Sequence, residues 1–363
     1  MSQLSHIFKE FGPDYYKKYK KTMPANQGRA LRAILSCRTR KQGIAYYKCE
    51  KCGTIHGIYR SCGNRNCYMC QRHKSREWMA ERIKHLIPGD HYSVTFVPPQ
   101  EVAKVLNLNQ KEGYSILFRA SSKALSQSMA RSVHAKGAIS GFMGVLHTWG
   151  STLPEHPHIH YLVPGGTLAN DGSQWHPFPK GSFLNEEALS VRFQQIFKTL
   201  IHKSDLKDKI PLDALDKPFR ATIRYAGDGQ AFIKYLTPTI FKVGVDEKNI
   251  VKIDKDQITI SHKKKDSNRP RHTILSAEEF IRRYLKHVLP SGFMKVRYYG
   301  FMHPASKHKL KDIQHLAKSQ FDSIKITPPP EIKLMPPLCP RCNTPMEYIE
   351  TIAPHKMPPD DPG

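Results

Sequence analysis

Eight cysteines and a run of histidines carry the clearest chemistry in this sequence. Cys49-x-x-Cys52 and Cys67-x-x-Cys70 are two short knuckles separated by the segment 53–66. Zn²⁺ takes four soft ligands at tetrahedral corners about 2.3 Å away. The spacing therefore predicts one structural zinc site of Cys49, Cys52, Cys67 and Cys70. Cys37, Cys62 and the distant pair Cys339 and Cys342 remain. They are expected to form a second four-thiolate site, folding the C-terminal segment back onto the amino-terminal module. The alternative combines Cys37 and Cys62 with His56 or His73 and leaves the Cys339/Cys342 pair labile or intermolecular. Met1–Lys21 has no apolar secretory segment, so metal thiolates are preferred over disulfides.

His158-Ile159-His160 lies in an apolar, β-branched run. Residues i and i+2 of a strand share a face, so two imidazoles project side by side while Ile159 points into core. The preceding strand ends in Leu146-His147-Thr148-Trp149. A hairpin turning near residue 152 or 153 sets His147 opposite His158. His147, His158 and His160 are expected to form a three-histidine metal site with open positions; His156 competes but is turned away by Pro157. An open site of this kind in a very basic chain suggests phosphodiester chemistry, with the metal polarising a non-bridging oxygen. Tyr235 is the candidate nucleophile, since a phosphotyrosine conserves bond energy for rejoining. The rival reading of Tyr235 is a packed aromatic. Lys234 and Lys242 flank it and can stabilise charge on phosphorus or lower the phenol pKa.

These residues need elements to hold them. Residues 1–36 read as helical and basic, and 37–75 are too rich in Cys, Gly and Arg to fold on an apolar core alone. Helices are expected over about 73–87 and 109–135, from Asn185 onward, over 229–236 ended by Pro238, and from Ser276 to about Leu289. Strands are expected at 92–97, 139–149, 157–163, 219–225 and 293–299, with a hairpin of 249–253 and 257–262. Strands with helices between them imply an α+β fold on an antiparallel sheet. The segments are 1–88, helical and zinc-binding; 89–325, catalytic; and 326–363, a proline-rich linker and C-terminal Cys-x-x-Cys tail ending in disorder. Lys263 to Arg271 is read as a charged, solvated loop.

Composition bounds the partner. Lys and Arg number 57 against 31 Asp and Glu, a formal charge of +26 over 363 residues. That argues against an ordinary small-metabolite enzyme and for a polyanion, nucleic acid before anionic membrane. Apolar residues make up 39% of the chain, so it can bury a core. No apolar run reaches the length of a membrane span. Arg60, Arg65, Arg72, Lys74 and Arg76 stud the zinc module and suit DNA contact.

Seven segments in order resemble a known family: LRAILSCRTR, YYKCEKCG, SCGNRNCYMCQ, LHTWGSTLPEHPHIHYLVPGG, KYLTPTIFKVGV, FIRRYLKHVLPSGFMKVRYYG and LCPRCNTPM. They resemble the rolling-circle transposases of the HUH, two-tyrosine group typified by insertion sequence ninety-one. The resemblance covers about residues 25–345 and implies an amino-terminal zinc-binding domain and an HUH endonuclease domain. It implies single-stranded DNA from transposon ends as substrate, Mg²⁺ or Mn²⁺ on His147, His158 and His160, and attack by Tyr235. The product is a 5′-phosphotyrosine and a free 3′-OH. A bacterial cytoplasmic, nucleoid-associated protein is implied. The family motif Tyr-x-x-Arg-Tyr reads Tyr235-Leu-Thr-Pro238-Thr239 here, with Lys242 for a later Arg, and Arg-His-Cys reads Arg65-Asn66-Cys67. This implies a single-tyrosine enzyme. Its rivals are a non-catalytic zinc-dependent DNA-binding protein derived from such a transposase, and a metal phosphodiesterase that uses water.

Overall fold

The computed structural model describes residues 3–135, 138–149, 155–179, 181–241, 245, 247–263, 270–319 and 335–354. In chain order it begins with helices α1 (Gln3–Tyr19) and α2 (Ala25–Leu35) and the strands β1 (Ile44–Lys48) and β2 (Ile55–Tyr59). Then come α3 (Gln71–Lys84), β3 (His91–Val97), α4 (Gln100–Leu108) and α5 (Gln110–Ala130). Next are β4 (Gly141–Trp149), β5 (Glu155–Pro164), β6 (Gly166–Leu168) and β7 (Trp175–Pro177). They are followed by α6 (Glu186–His202), α7 (Leu212–Asp216), β8 (Arg220–Tyr225) and α8 (Gln230–Phe241). The chain continues through β9 (Ile250–Asp254), β10 (Gln257–Lys263), β11 (Pro270–Ser276) and α9 (Ala277–Lys286). It closes with β12 (Val296–Gly300), α10 (Leu310–Lys318) and β13 (Glu347–Ile352).

The fold is α+β with antiparallel sheets, as expected. It divides into two compact units that are not contiguous segments. One unit comprises 1–77, 241–288 and 330–363; the other comprises 78–240 and 289–329. The contiguous segmentation expected from sequence differs from this because α9 packs on α1 and α2, and β13 pairs with β1. In the first unit β13, β1 and β2 form one sheet and β11, β10 and β9 another. The Ser276 hydroxyl accepts from the Glu279 amide at 3.2 Å and starts α9, the serine half of the expected capping box, while the Glu279 carboxylate accepts from Arg282 and Arg283.

The second unit is built on a five-stranded sheet ordered β12-β4-β5-β3-β8. Strict alternation gives the sheet two different faces. Val94, Phe96, Phe142, Leu146, Ile159 and Tyr161 point to one, against the buried side chains of α4, α5 and α6. Asn185 caps α6 by accepting from the Ala188 amide at 2.8 Å. Met143, Val145 and Leu162 point to the other face, against Ile83 of α3 and Ile233 and Leu236 of α8. Tyr299 packs on the first core and Tyr298 on the second.

Several local expectations are corrected. Pro238 does not end α8; the helix continues through it to Phe241, carried by the buried Ile233, Leu236 and Thr237. The hairpin 249–262 gains a third strand, β11, which pairs with the free edge of β10; Pro270–Arg271 therefore belong to a strand rather than a loop. Residues 347–352 are ordered as β13 rather than tail, while 355–363 lie outside the described residues. The linker residues 326–334 lie outside them too. Helices α4 and α10 and the small β6/β7 sheet were not anticipated.

Candidate metal and phosphotransfer sites

All eight cysteines gather in the first unit as two groups of four. The grouping differs from the sequence expectation. Cys49 and Cys52 join Cys339 and Cys342, while Cys67 and Cys70 join Cys37 and Cys62. The reason is local backbone chemistry. In the Cys49 knuckle the Gly53 amide donates to Cys49 O at 2.8 Å and the Cys49 amide to Thr54 O at 2.9 Å. In the Cys339 knuckle the Asn343 amide donates to Cys339 O at 2.9 Å and the Cys339 amide to Thr344 O at 2.8 Å. Gly53 (φ 71°) and Asn343 (φ 56°) both take the left-handed turn that closes such a knuckle. The two are copies of one device, Cys-x-x-Cys-Gly/Asn-Thr, and β13 on β1 sets them face to face. The Cys67 knuckle is of another kind. It runs directly into α3, with the Gln71 amide on Cys67 O at 3.2 Å.

The donor sets fit zinc. Neighbouring sulfurs lie at 3.4 Å (Cys49–Cys342), 3.6 Å (Cys52–Cys339), 3.5 Å (Cys37–Cys70) and 3.6 Å (Cys62–Cys70). A tetrahedron with bonds of about 2.3 Å has edges of about 3.8 Å. A hydrogen bond with the Thr344 hydroxyl pulls the Cys49 thiol down to about 6, and one with Cys67 pulls Cys62 down to about 5. Those shifts favour the thiolate, the form a metal needs, whereas burial pushes Cys37 up to about 11, so its proton must be displaced on binding. His56 joins neither group, and the side chain of His73 lies outside the described residues.

The second unit holds the histidines. β4 and β5 pair with His147 opposite His158 and Val145 opposite His160, the register expected. One ring nitrogen from each of His147, His158 and His160 lies within 4.8 Å of the others. Nε2 of His158 and Nε2 of His160 are 3.1 Å apart. Two ligands at right angles on bonds of about 2.1 Å would be about 3.0 Å apart, so the pair suits one ion. Two of the rings are oriented from behind. Nδ1 of His158 sits 2.6 Å from His156 O, and Nδ1 of His160 sits 2.8 Å from the Thr95 hydroxyl. A donor proton held at Nδ1 leaves the Nε2 lone pair for the metal. Burial lowers the pKa of all three, His158 to about 4, His160 to about 3, and His147 well below its usual range. The imidazoles are thus neutral and ready to ligate at pH 7. His156 is exposed and outside the group, contributing only its carbonyl.

Tyr235 stands beside this cluster on α8. Its ring is 56% exposed, 6.0 Å from the His160 ring, and stacked on Phe232 at 5.8 Å. The exposure is what separates it from a packed aromatic. Burying Ile233 and Leu236 against the sheet turns Lys234 and Tyr235 outward. Lys242 and the side chain of Thr239 lie outside the described residues. Sequence reasoning missed Thr95 and Lys295. Nζ of Lys295 lies 4.4 Å from the Trp149 ring centre, and its charge helps keep His147 neutral. Thr95 could be found only once β3 was known to pair with β5.

Two family models match parts of this chain. Residues 7–97 match the transposase zinc-binding domain of the IS91 type, and 141–309 match the Y2_Tnp transposase family. A Sinorhizobium fredii protein named as a transposase, y4qJ, is 31% identical over 83% of this chain and 80% of its own. The chain belongs to the IS91-type transposases. The transposase of insertion sequence element IS801 from Pseudomonas savastanoi pv. phaseolicola is 22% identical over 74% of this chain and 68% of its own. No solved structure matches this transposase. The matched zinc-binding region contains Cys37, Cys49, Cys52, Cys62, Cys67 and Cys70; the other two cysteines of the two groups, Cys339 and Cys342, lie outside it. No helix among the described residues is long and apolar enough to cross a membrane.

Proposed function

We propose that this transposase cleaves and rejoins single-stranded DNA at the ends of its element through a 5′-phosphotyrosine on Tyr235. The observation that carries the reading is the placement of an exposed phenol beside two buried imidazoles and a half-buried one on one face of the sheet. A divalent ion on His147, His158 and His160 would polarise a non-bridging oxygen of the scissile phosphate. Mn²⁺ suits three nitrogen donors better than Mg²⁺, which prefers oxygen. The rings are neutral at pH 7, each with one ring nitrogen unprotonated, so no proton has to be displaced on binding. Tyr235 Oη attacks phosphorus, the P–O3′ bond breaks, the phenol proton passes to solvent, and the 3′-oxygen leaves as a hydroxyl. Phe232 stacks against the Tyr235 ring and restrains it. Lys234 flanks Tyr235 and the charge of Lys295 acts on His147, so both are candidate cations for the phosphate; Lys242 follows Tyr235 in the sequence. The sequence segments 1–88 and 89–325 would divide the work into DNA contact and cleavage, at the bacterial nucleoid in the cytoplasm.

The test incubates the protein with single-stranded DNA containing an element end and Mn²⁺, followed by denaturing electrophoresis. A covalent adduct lost in Tyr235→Phe is expected. Cleavage that survives Tyr235→Phe would replace the proposal with water attack. No cleavage with any divalent metal would favour the non-catalytic reading, to which Pro238 and Thr239 in the tyrosine motif lend weight.

A further inference from the structure

The sheet face opposite the histidines carries a second feature that phosphotyrosine chemistry does not use. β12 is the edge strand of the five-stranded sheet. Val296 and Tyr298 pair with Val145 and Met143 and share the histidine face. Alternation therefore sends Arg297 to the other face, over α5. There an open groove of about 800 Å³ runs between α5, the turn before β12, and the segment after it. Lys111, Arg119, Arg297 and His303 line it, and no carboxylate does. Lys111, Arg119 and His303 are exposed. Arg297 is held in place, its guanidinium 4.2 Å from the Phe118 ring centre and 5.1 Å from that of Phe293.

We infer that this groove is a second nucleic-acid site, holding the phosphate backbone of a DNA strand away from the scissile bond. The chemistry of the lining selects an anion. Its length selects a chain of anions over a single one. Lys111, Ser115 and Arg119 recur every fourth residue of α5 and so form one stripe on its surface. At about 1.5 Å per residue the two cations stand about 12 Å apart along the helix. Arg297 faces that stripe with a rigid, planar fork, the geometry that suits phosphate oxygens. The ring walls of Phe293 and Phe118 fix its orientation in advance, so little side-chain freedom is lost on binding. The exposed Met294 at the rim adds an apolar surface on which a base or sugar can rest.

This inference rests on DNA as the substrate and not on Tyr235 as nucleophile, so the two can fail separately. The test measures anisotropy of a labelled single-stranded oligonucleotide over a range of salt concentrations. The groove variant is Lys111→Glu with Arg119→Glu. The control is Lys203→Glu with Lys207→Glu, an equal charge change at exposed positions after α6, outside the groove. Both pairs are exposed, and circular dichroism checks that the fold is kept. The groove variant is expected to bind about tenfold or more weakly, with the slope of log K against log salt reduced by about 1.4 for two lost phosphate contacts. The control is expected to change affinity far less. Equal losses in the two variants, or an unchanged slope in the groove variant, would overturn the proposal. The adduct at Tyr235, driven with saturating oligonucleotide, should still form in the groove variant; its absence there would show that the groove belongs to the cleavage site and overturn the separate role.

Discussion

Zinc stoichiometry in cysteine variants separates the observed grouping from the one the spacing suggests. Both groupings hold two ions in the full chain, and both lose one when Cys339 and Cys342 become serine. They part when Cys49 and Cys52 are also replaced. In the structure those four residues form one site, with sulfur pairs at 3.4–3.6 Å. Removing all four therefore leaves Cys37, Cys62, Cys67 and Cys70 complete, and one zinc should remain. In the alternative grouping each site has lost two ligands and none should remain. The difference is large in free energy, since a structural zinc site contributes about 10–16 kcal/mol of apparent binding at pH 7. Dialysis against a chelator of moderate strength would strip a two-thiolate remnant and spare a complete site. Metal content then follows from mass spectrometry of the dialysed protein. A quadruple variant retaining no zinc would refute the twin-knuckle argument. The complementary variant, Cys37→Ser and Cys62→Ser added to Cys339→Ser and Cys342→Ser, should retain none, where the alternative grouping would keep one.

Three further outcomes follow from the histidine sheet. Thr95→Val removes the Nδ1 partner of His160 without changing volume much and should weaken Mn²⁺ binding about 10- to 100-fold by calorimetry; unchanged affinity would mean the ring is oriented by packing alone. Gly144→Ala would set a Cβ 2.5 Å from the fully buried Tyr161 ring, so the denaturation midpoint should fall, by about 1–3 kcal/mol in stability; a neutral result would show that the ring can shift. For the metal-free protein the sign of the pH effect is set by imidazoles whose folded pKa lies below the unfolded value of about 6.5. Between that value and about 4 the unfolded chain binds the extra protons. Urea midpoints should therefore be highest above pH 6.5 and fall on acidification, less steeply in His158→Gln with His160→Gln; equal slopes would refute the attribution.

Much of the site was legible in the sequence because period-two alternation is a strict geometric rule. Placing His147 opposite His158 needed only a short turn and the shared face of His158 and His160. The cysteine grouping was misread because proximity along the chain was weighed above knuckle type. The Gly53-Thr54 and Asn343-Thr344 endings mark the true pair, and Cys70 running into a helix marks the odd one. Pro238 misled because a proline costs a helix one hydrogen bond, while Ile233, Leu236 and Thr237 bury three side chains along it. Thr95 and Lys295 were out of reach for a different reason. Each acts only through a neighbour distant in sequence, and nothing in its own surroundings marks it.

The separation of 293 residues between Cys49 and Cys342 also puts the two zinc sites on different clocks. Cys37 to Cys70 spans 33 residues and can close soon after that segment leaves the ribosome. The other site must wait for nearly the whole chain, about 15–60 s at synthesis rates of about 5–20 residues per second. Throughout that interval Cys49 and Cys52 have no partners from the C-terminal knuckle, and Cys49 lacks the Thr344 hydroxyl that lowers its pKa in the finished fold. A chain broken off early would carry this open pair permanently, vulnerable to oxidation and to stray metals. Closure of the second site thus reports, within the amino-terminal module itself, that translation reached residue 342.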